Sequence, residues 1–539
     1  MFRLFALGAL LSFLTMPGIS KAAPSDGPTI MLRVQSVDKL LDNAEYLAIL
    51  VGQEEAAKQF LGFIKALANE KGIEGVDNKR AFVAYANLKE DVTKSDVVLM
   101  LPIADQESFL GLLKTRLGLE VKDEKNGLYS TEAPNNMGTV YLRFANKYVY
   151  GTLANKDNVD EKKLPKPEDV TGKGDAVIAL GVRLDRIPPE MKKFALGFLE
   201  DKLAEARDAP IPDETPAIKK VKITAVESFA NGLKGLLEDG EEITLQIDID
   251  KSKDEIGLQV GLTGKKGSTL AKEIADFKLK KSVSLGALPK GNAAVIGAIN
   301  LALPDSIKKV IAPAIDELAD KGLMMAPNDA RDLITPIIKA ALPTFKAGEI
   351  DLAGVLLGPD AENHFTLVTS GKVVGGKDLE KAIKDAVAKA PAEVKDVIEI
   401  DADTVGDFKL HRLKVSDKLD EKALAVVGKS DVWLTFRDDS FMMAFGPKAK
   451  ESLKEAVKAP AVGGPVALLD ISVARIATLV EKGDLQGADK IAKDVFGKDL
   501  RGDTITVTVE GGESFHFRLA AKGKTLKFFA LIDKLKKGN

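Results

Sequence analysis

An α+β fold in two tandem halves, each an antiparallel sheet of hairpin modules with helices packed on one face, is what this sequence predicts. Three observations carry that expectation. Apolar periods of 2 and of 3.6 fall in separate blocks along the chain rather than mixed within one segment. Short apolar runs enter after Gly-containing turns four times. Segments of three types then recur in the same order in the two halves, the mark of an internal duplication.

Taken from the start, "MFRLFALGALLSFLTMPGISKAAPSDG" has one basic residue, Arg3, before an apolar run from Leu4 to Leu14, and small residues at Ser20 and Ala22. That is the pattern of a cleaved secretory signal over residues 1–22, so the chain is expected to be exported, to the periplasm or outside the cell. The run is short for a membrane span, which needs roughly 20 apolar residues. No Cys follows it to take a lipid, and the whole chain has none, which removes disulfides, thiolate metal sites and Cys nucleophiles.

The 539 residues are 45% hydrophobic and 29% charged with a net charge of −3, a globular balance that argues against a nucleic-acid partner or a basic membrane patch. Length alone suggests several domain-sized units. The later apolar stretch "AAVIGAINLALP" is broken by Gly297, Asn300 and Pro304, so no transmembrane segment is expected after removal of the signal.

The first repeated element is a strand running into a helix: "GPTIMLRVQSVDKLL" from Gly27, "GDAVIALGVRLDRIPPEMKKF" from Gly174, "GNAAVIGAINLALPDSIKKVI" from Gly291 and "GGPVALLDISVARIATLV" from Gly463. Each places Asp, Pro or Ser where a helix can begin. The second is a hairpin followed by a helix, seen in "ITLQIDIDKSKDEIGLQVGLTGKKGSTLAKEI" and three similar stretches, with alternating apolar residues on either side of a polar turn. The third occurs twice, from Val140 and from Val432, with Leu142 matching Leu434, Phe144 matching Phe436 and Gly151 matching Gly446. Pairing Gly27 with Gly291, Val140 with Val432, Gly174 with Gly463 and Ile243 with Ile505 gives offsets of 264, 292, 289 and 262 residues. The expected division is 23–285 and 286–539, each half built from two related subunits. Leu40, Leu41, Leu47, Leu50, Phe60, Leu61, Ile64 and Leu67 form a helical stripe in the first half.

The four Gly-initiated segments resemble exported bacterial repeat proteins of a domain-of-unknown-function type, in which a strand after Pro or Gly runs repeatedly into a helix. That resemblance implies no activity.

The candidate chemistries are few. "NHFTLVTSGK" at 363–372 and "FHFRLAAKGK" at 515–524 are near twins holding His364 and His516. On a strand, Phe365 and Leu367 would share one face with His364 on the other, and likewise for Phe517, Leu519 and His516, so the reading is a duplicated strand. His411 in "FKLHRLKV" is again a strand residue flanked by bases. "GLTGKKGST" has Lys266-Gly267-Ser268 where a phosphate loop needs Gly then Lys then Ser or Thr. Asp248, Asp250, Ser252 and Asp254 keep the odd spacing of a calcium loop, but Lys253 and Gln259 replace its required Gly and Glu. Arg501-Gly502-Asp503 spells an adhesion tripeptide that turn chemistry explains. No nucleophile elbow or paired-carboxylate signature is present.

The sequence therefore assigns no catalytic, cofactor-binding or metal residues and no cofactor. It points to an exported, soluble, non-catalytic binding or scaffold protein whose partner is a protein, a polymer or an apolar ligand. The alternatives are a periplasmic carrier of an apolar or lipid ligand, and a hydrolase whose carboxylates converge only in the fold.

Overall fold

The computed structural model describes residues 28–538 apart from 56–57, 60–61, 63–67, 70–71, 135–136, 173, 212–213, 278–279, 482–485 and 498–501. The expected signal stretch 1–22 and the stripe positions Phe60, Leu61, Ile64 and Leu67 lie outside the described residues. Within them the chain forms two compact units, Met1–Leu199 with Lys234–Ala271, and Glu200–Leu233 with Lys272–Asn539. Among the described residues no helix is long and apolar enough to cross a membrane.

The large sheet of the first unit is made of β1 (Ile30–Val34), β2 (Phe82–Asn87), β3 (Asp96–Pro102), β4 (Lys122–Asp123), β5 (Leu128–Glu132), β6 (Thr139–Ala145), β7 (Tyr148–Leu153), β8 (Ile178–Arg183), β9 (Gly240–Asp250) and β10 (Glu255–Gly264). All pair antiparallel, in the order β4-β5-β6-β7-β3-β2-β1-β8-β9-β10. Helix α1 (Val37–Leu50) follows β1, and the Ser36 hydroxyl at its start accepts from the Lys39 N–H at 3.1 Å. Helix α2 (Gln106–Thr115) follows β3 and sets Phe109, Leu112 and Leu113 on Leu142 and Val149. Helix α3 (Pro167–Thr171) brings Val170 to the opposite face, onto Val83, Tyr85, Met100 and Tyr150. Along the chain, helices α4 (Pro189–Asp208) and α5 (Pro216–Asp239) come between β8 and β9, and α6 (Thr269–Asp276) follows β10; residues 200–233 and 272–276 of these helices and their link count with the second unit.

In the second unit the strands of the large sheet are β11 (Ala293–Ala302), β12 (Glu349–Leu357), β13 (Thr366–Lys372), β14 (Ile398–Val405), β15 (Phe408–Leu413), β16 (Val432–Phe436), β17 (Ser440–Phe445), β18 (Ala467–Ser472), β19 (Thr504–Glu510) and β20 (Phe515–Lys522). They are again all antiparallel, ordered β14-β15-β16-β17-β13-β12-β11-β18-β19-β20. Adding ten to each strand number of the first sheet reproduces the order of the second. Its helices of eight or more residues are α7 (Asp305–Met325) and α8 (Asn328–Lys346) between β11 and β12, α9 (Gly376–Lys389) after β13, α10 (Ala449–Ala456) after β17, α11 (Val473–Glu481) and α12 (Ala488–Phe496) between β18 and β19, and α13 (Gly523–Gly538) at the end.

A strand, a helical connection, a hairpin and a further helix thus follow in sequence four times, starting at β1, β8, β11 and β18. In three of these modules the chain leaving the first strand is tied to the residue just ahead of, or close before, the hairpin: Asp38 N–H to Asn78 O at 3.1 Å, Leu303 N–H to Gly348 O at 2.8 Å and Val473 N–H to Asp503 O at 2.8 Å.

Helices cover parts of both faces of each sheet, where one face was expected. The helix after the hairpin crosses to one side, while the chain leaving β7 or β17 crosses to the other. In the second unit α10 buries Leu453 and Ala456 with Val355, Val368, Met442 and Ala444, and α9 lies over the reverse face at the β14–β16 end.

Candidate functional site

The described acidic and histidine side chains converge once in a metal-like trio, Glu380, Asp401 and His411. His411 is in the middle of β15, opposite Leu434 of β16, and only 2% exposed. The neighbouring strand makes room for it with a bulge: between the pairs Glu399–Arg412 and Asp403–Leu410, three residues face His411 alone, and Asp401 takes φ 53°. This turns the Asp401 backbone N–H onto His411 Nδ1 at 3.1 Å. Because Nδ1 accepts, the ring proton of the neutral imidazole sits on Nε2, which donates to Glu380 Oε1 at 3.2 Å. Burial pushes the His411 pKa down against the pull of Glu380, and it stays neutral at pH 7.

The carboxylates of this trio already hold a cation. Lys384, one turn along α9 from Glu380, places its Nζ 2.8 Å from Glu380 Oε1 and 2.8 Å from Asp401 Oδ1. Burial works against the Lys384 ammonium, but its bonds to Asp401 and Glu380 outweigh that and raise its pKa. A metal ion here would have to displace Lys384 and strip the proton from His411 Nε2. A substrate would have to reach an imidazole closed off from solvent. The arrangement is that of a docking contact between helix and sheet, and the first unit has its counterpart. There Tyr129 of β5 stands opposite Leu142, and its hydroxyl accepts from Gln106 Nε2 of α2 at 3.1 Å.

The other sequence candidates are spread apart. His364 lies ahead of β13, not in it, because the Asp360 carboxylate accepts from its N–H at 2.8 Å and closes a turn there. Phe365 is completely buried, as a core residue should be, yet the buried face of β13 is Thr366, Val368 and Ser370, with Leu367 only half-buried. His516 is within β20, its Nε2 2.6 Å from the Ser514 hydroxyl, and Phe517 and Leu519 beside it are half-buried. The two twins nevertheless occupy the same place in their modules, the second hairpin strand.

In the Gly/Lys turn after β10, the Ser268 hydroxyl accepts from the Ala271 N–H at 3.1 Å and caps α6. At the β9–β10 tip the Asp250 carboxylate accepts from Ser252 and Lys253 backbone N–H groups, and Asp254 accepts from the Tyr46 hydroxyl at 2.6 Å. Those acids serve the turn and its neighbour. Asp503 of the adhesion-like tripeptide is buried, bonded to the Ser472 hydroxyl and the Ala474 N–H, while Arg501 lies outside the described residues.

A second feature has no short sequence motif. On the face of the second sheet that carries His411 at one end, the central strands expose Leu352 of β12 at 54%, Ile299 of β11 at 43% and Leu469 of β18 at 39%. Register places them together: Ile299 is opposite Leu352, and Leu469 is opposite Gly297, which is opposite Gly354. Nothing lies within 4 Å of where a Cβ on Gly297 would be, so the glycines floor a shallow trough between aliphatic walls. Beyond Leu469 the same face continues with Val507 and Leu519, both half-buried.

No protein family, no curated protein and no solved structure matches this chain.

Proposed function

We propose that the protein is an exported, non-catalytic binding protein that holds an extended aliphatic chain on the open face of its second sheet. What carries the reading is Leu352, an aliphatic side chain half open to solvent on a strand with neighbours on both sides. A central strand normally hides such a residue, and apolar clusters left open on a sheet mark sites of contact. The ligand class follows from the lining: Ile299, Leu352 and Leu469 are aliphatic, and Gly297 and Gly354 leave width for a chain but add no polar group to orient a head. Covering the exposed part of these three side chains is worth about 1 kcal/mol each on the protein's side, and each methylene the ligand itself buries adds ~0.8 kcal/mol. The same reading takes residues 1–22 as an export signal and the matching strand orders as the product of a duplication into two halves.

Titration with a fluorescent polyene fatty acid tests it. Binding should be saturable and weakened at least tenfold in Leu352→Glu and in Ile299→Glu, with Leu99→Glu in the first unit as the control that leaves it unchanged. Equal binding by the wild type and the Leu352→Glu variant would refute the proposal.

A further inference from the structure

Two arginines of the first unit, Arg33 and Arg80, line one cleft, and neither meets a carboxylate among the described residues. Arg33 of β1 stands opposite Val83 and Ala179, on the face that carries the Tyr85, Met100 and Tyr150 core. It is 8% exposed, and among the described residues its guanidinium makes one hydrogen bond, from Nη2 to the Ala176 carbonyl at 3.2 Å. Five N–H donors are available on that group, and a buried charge is ordinarily paired. Arg80 is held against the buried Tyr148 ring, its Cζ 4.4 Å from the ring centroid. Neither arginine has an ion pair among the described residues. Both open on a cleft of about 380 Å³ that Glu168 and Thr171 of α3 also line. Gly172 turns the chain there at φ 62°.

We propose that this cleft binds the carboxylate of a small organic acid, held between Arg33 and Arg80. The fork of a guanidinium matches a carboxylate in geometry, and the Tyr148 ring restrains where Arg80 can place it. The volume fits a metabolite-sized molecule rather than a bare ion. Charge selects a monoanion over a dianion: Glu168 lines the cleft, and Asp175 and Asp248 act on Arg33 from farther off, so the two positive charges are partly offset before any ligand arrives. The site lies wholly in the first unit and does not depend on the aliphatic trough.

Calorimetric titration of the whole protein with benzoate, benzamide, N-acetyl-alanine and inorganic phosphate at neutral pH tests it. Benzoate should bind, benzamide, its neutral counterpart, should not, and phosphate should bind more weakly than benzoate. N-acetyl-alanine reads the source of the carboxylate: binding as tight as or tighter than benzoate identifies a peptide C-terminus, against the free small acid proposed. Arg80→Gln should weaken benzoate roughly tenfold or more with an unchanged circular dichroism spectrum, and Arg80→Lys should restore only part of the affinity. The proposal is overturned if benzoate does not bind at tens of millimolar, if benzamide binds equally well, or if Arg80→Gln binds as the wild type does. Folding of an Arg33 variant is not needed for any of these outcomes.

Discussion

Replacing Phe365 and Phe517 in turn with Ala separates a ring locked in a core from one merely covered. Phe365 is 0% exposed, and the backbone closes tightly on its position: a Cβ on Gly358 would lie 3.1 Å from its ring, and one on Gly446 would lie 2.4 Å from its carbonyl oxygen. Such a site has little freedom to collapse into the space a lost ring leaves. An aromatic side chain buries roughly 200 Å², which at about 25 cal/mol per Å² sets an upper bound of ~5 kcal/mol. Removal of a core Phe generally costs about 3–5 kcal/mol, and this site belongs at the upper end of that range. Phe517 is only partly covered in the folded state, so less of the transfer contribution is lost, ~3 kcal/mol. Trp433, the sole tryptophan, sits in β16 of the same unit, so its fluorescence in guanidinium chloride reports the unfolding of the sheet that holds both residues. Both midpoints should fall at unchanged slope, that of Phe365→Ala farther. Equal falls, or a larger one for Phe517→Ala, would refute the assignment of Phe365 to the core.

His364→Gln and His516→Gln should each change stability by no more than about 0.5 kcal/mol, the scale of surface substitutions, in the same unfolding assay. The folded pKa of His411 lies below its ordinary 6.5, so as pH falls the unfolded chain takes up this proton first: stability is full above about 6.5 and declines as pH drops through that value toward the lower folded pKa. His411→Gln should flatten that part of the profile, which midpoints at about pH 7.5 and about pH 5 will show; identical declines in both proteins would contradict it. Lys384→Met should expose Glu380 and Asp401 to added Zn²⁺ and give a metal-dependent rise in melting temperature, whereas a strong rise in the wild type would mean that the ammonium does not hold that place. Gly446→Ala should destabilise by several kcal/mol, because at φ 133° the new Cβ meets backbone at 2.4 Å; a midpoint within ~0.5 kcal/mol of wild type would argue against that close approach.

Much of the strand inventory was legible along the chain. The four Gly-initiated runs are β1, β8, β11 and β18, and the match of Leu142 with Leu434 picks out β6 and β16, which hold the same place in their sheets. The site was legible only in fragments. Glu380 and Lys384 stand one turn apart on α9, an ordinary surface pair by spacing, and "FKLHRL" reads as a strand. Their meeting depends on the bulge at Asp401, where three residues face one, and no residue there demands a left-handed backbone as a glycine would. The same limit explains the inward side of β13, since Phe365 reaches the core from outside the strand and shifts the apparent parity by one.

Local chemistry, then, determined what the sequence by itself could determine: which segments alternate, where turns and caps fall, and which residues of a strand share a face, because a period of 2 or 3.6 is a property of neighbours along the backbone. Tertiary structure alone decided what covers each face. β12 is apolar on both sides, with Ala353 and Val355 on one and Leu352 on the other, and a sequence of that kind reads as a strand buried twice over. The register of β11, β12 and β18 sets Leu352 beside Ile299 on a face that leaves both exposed. Coverage is a relation between segments far apart in the chain, and no local pattern encodes it.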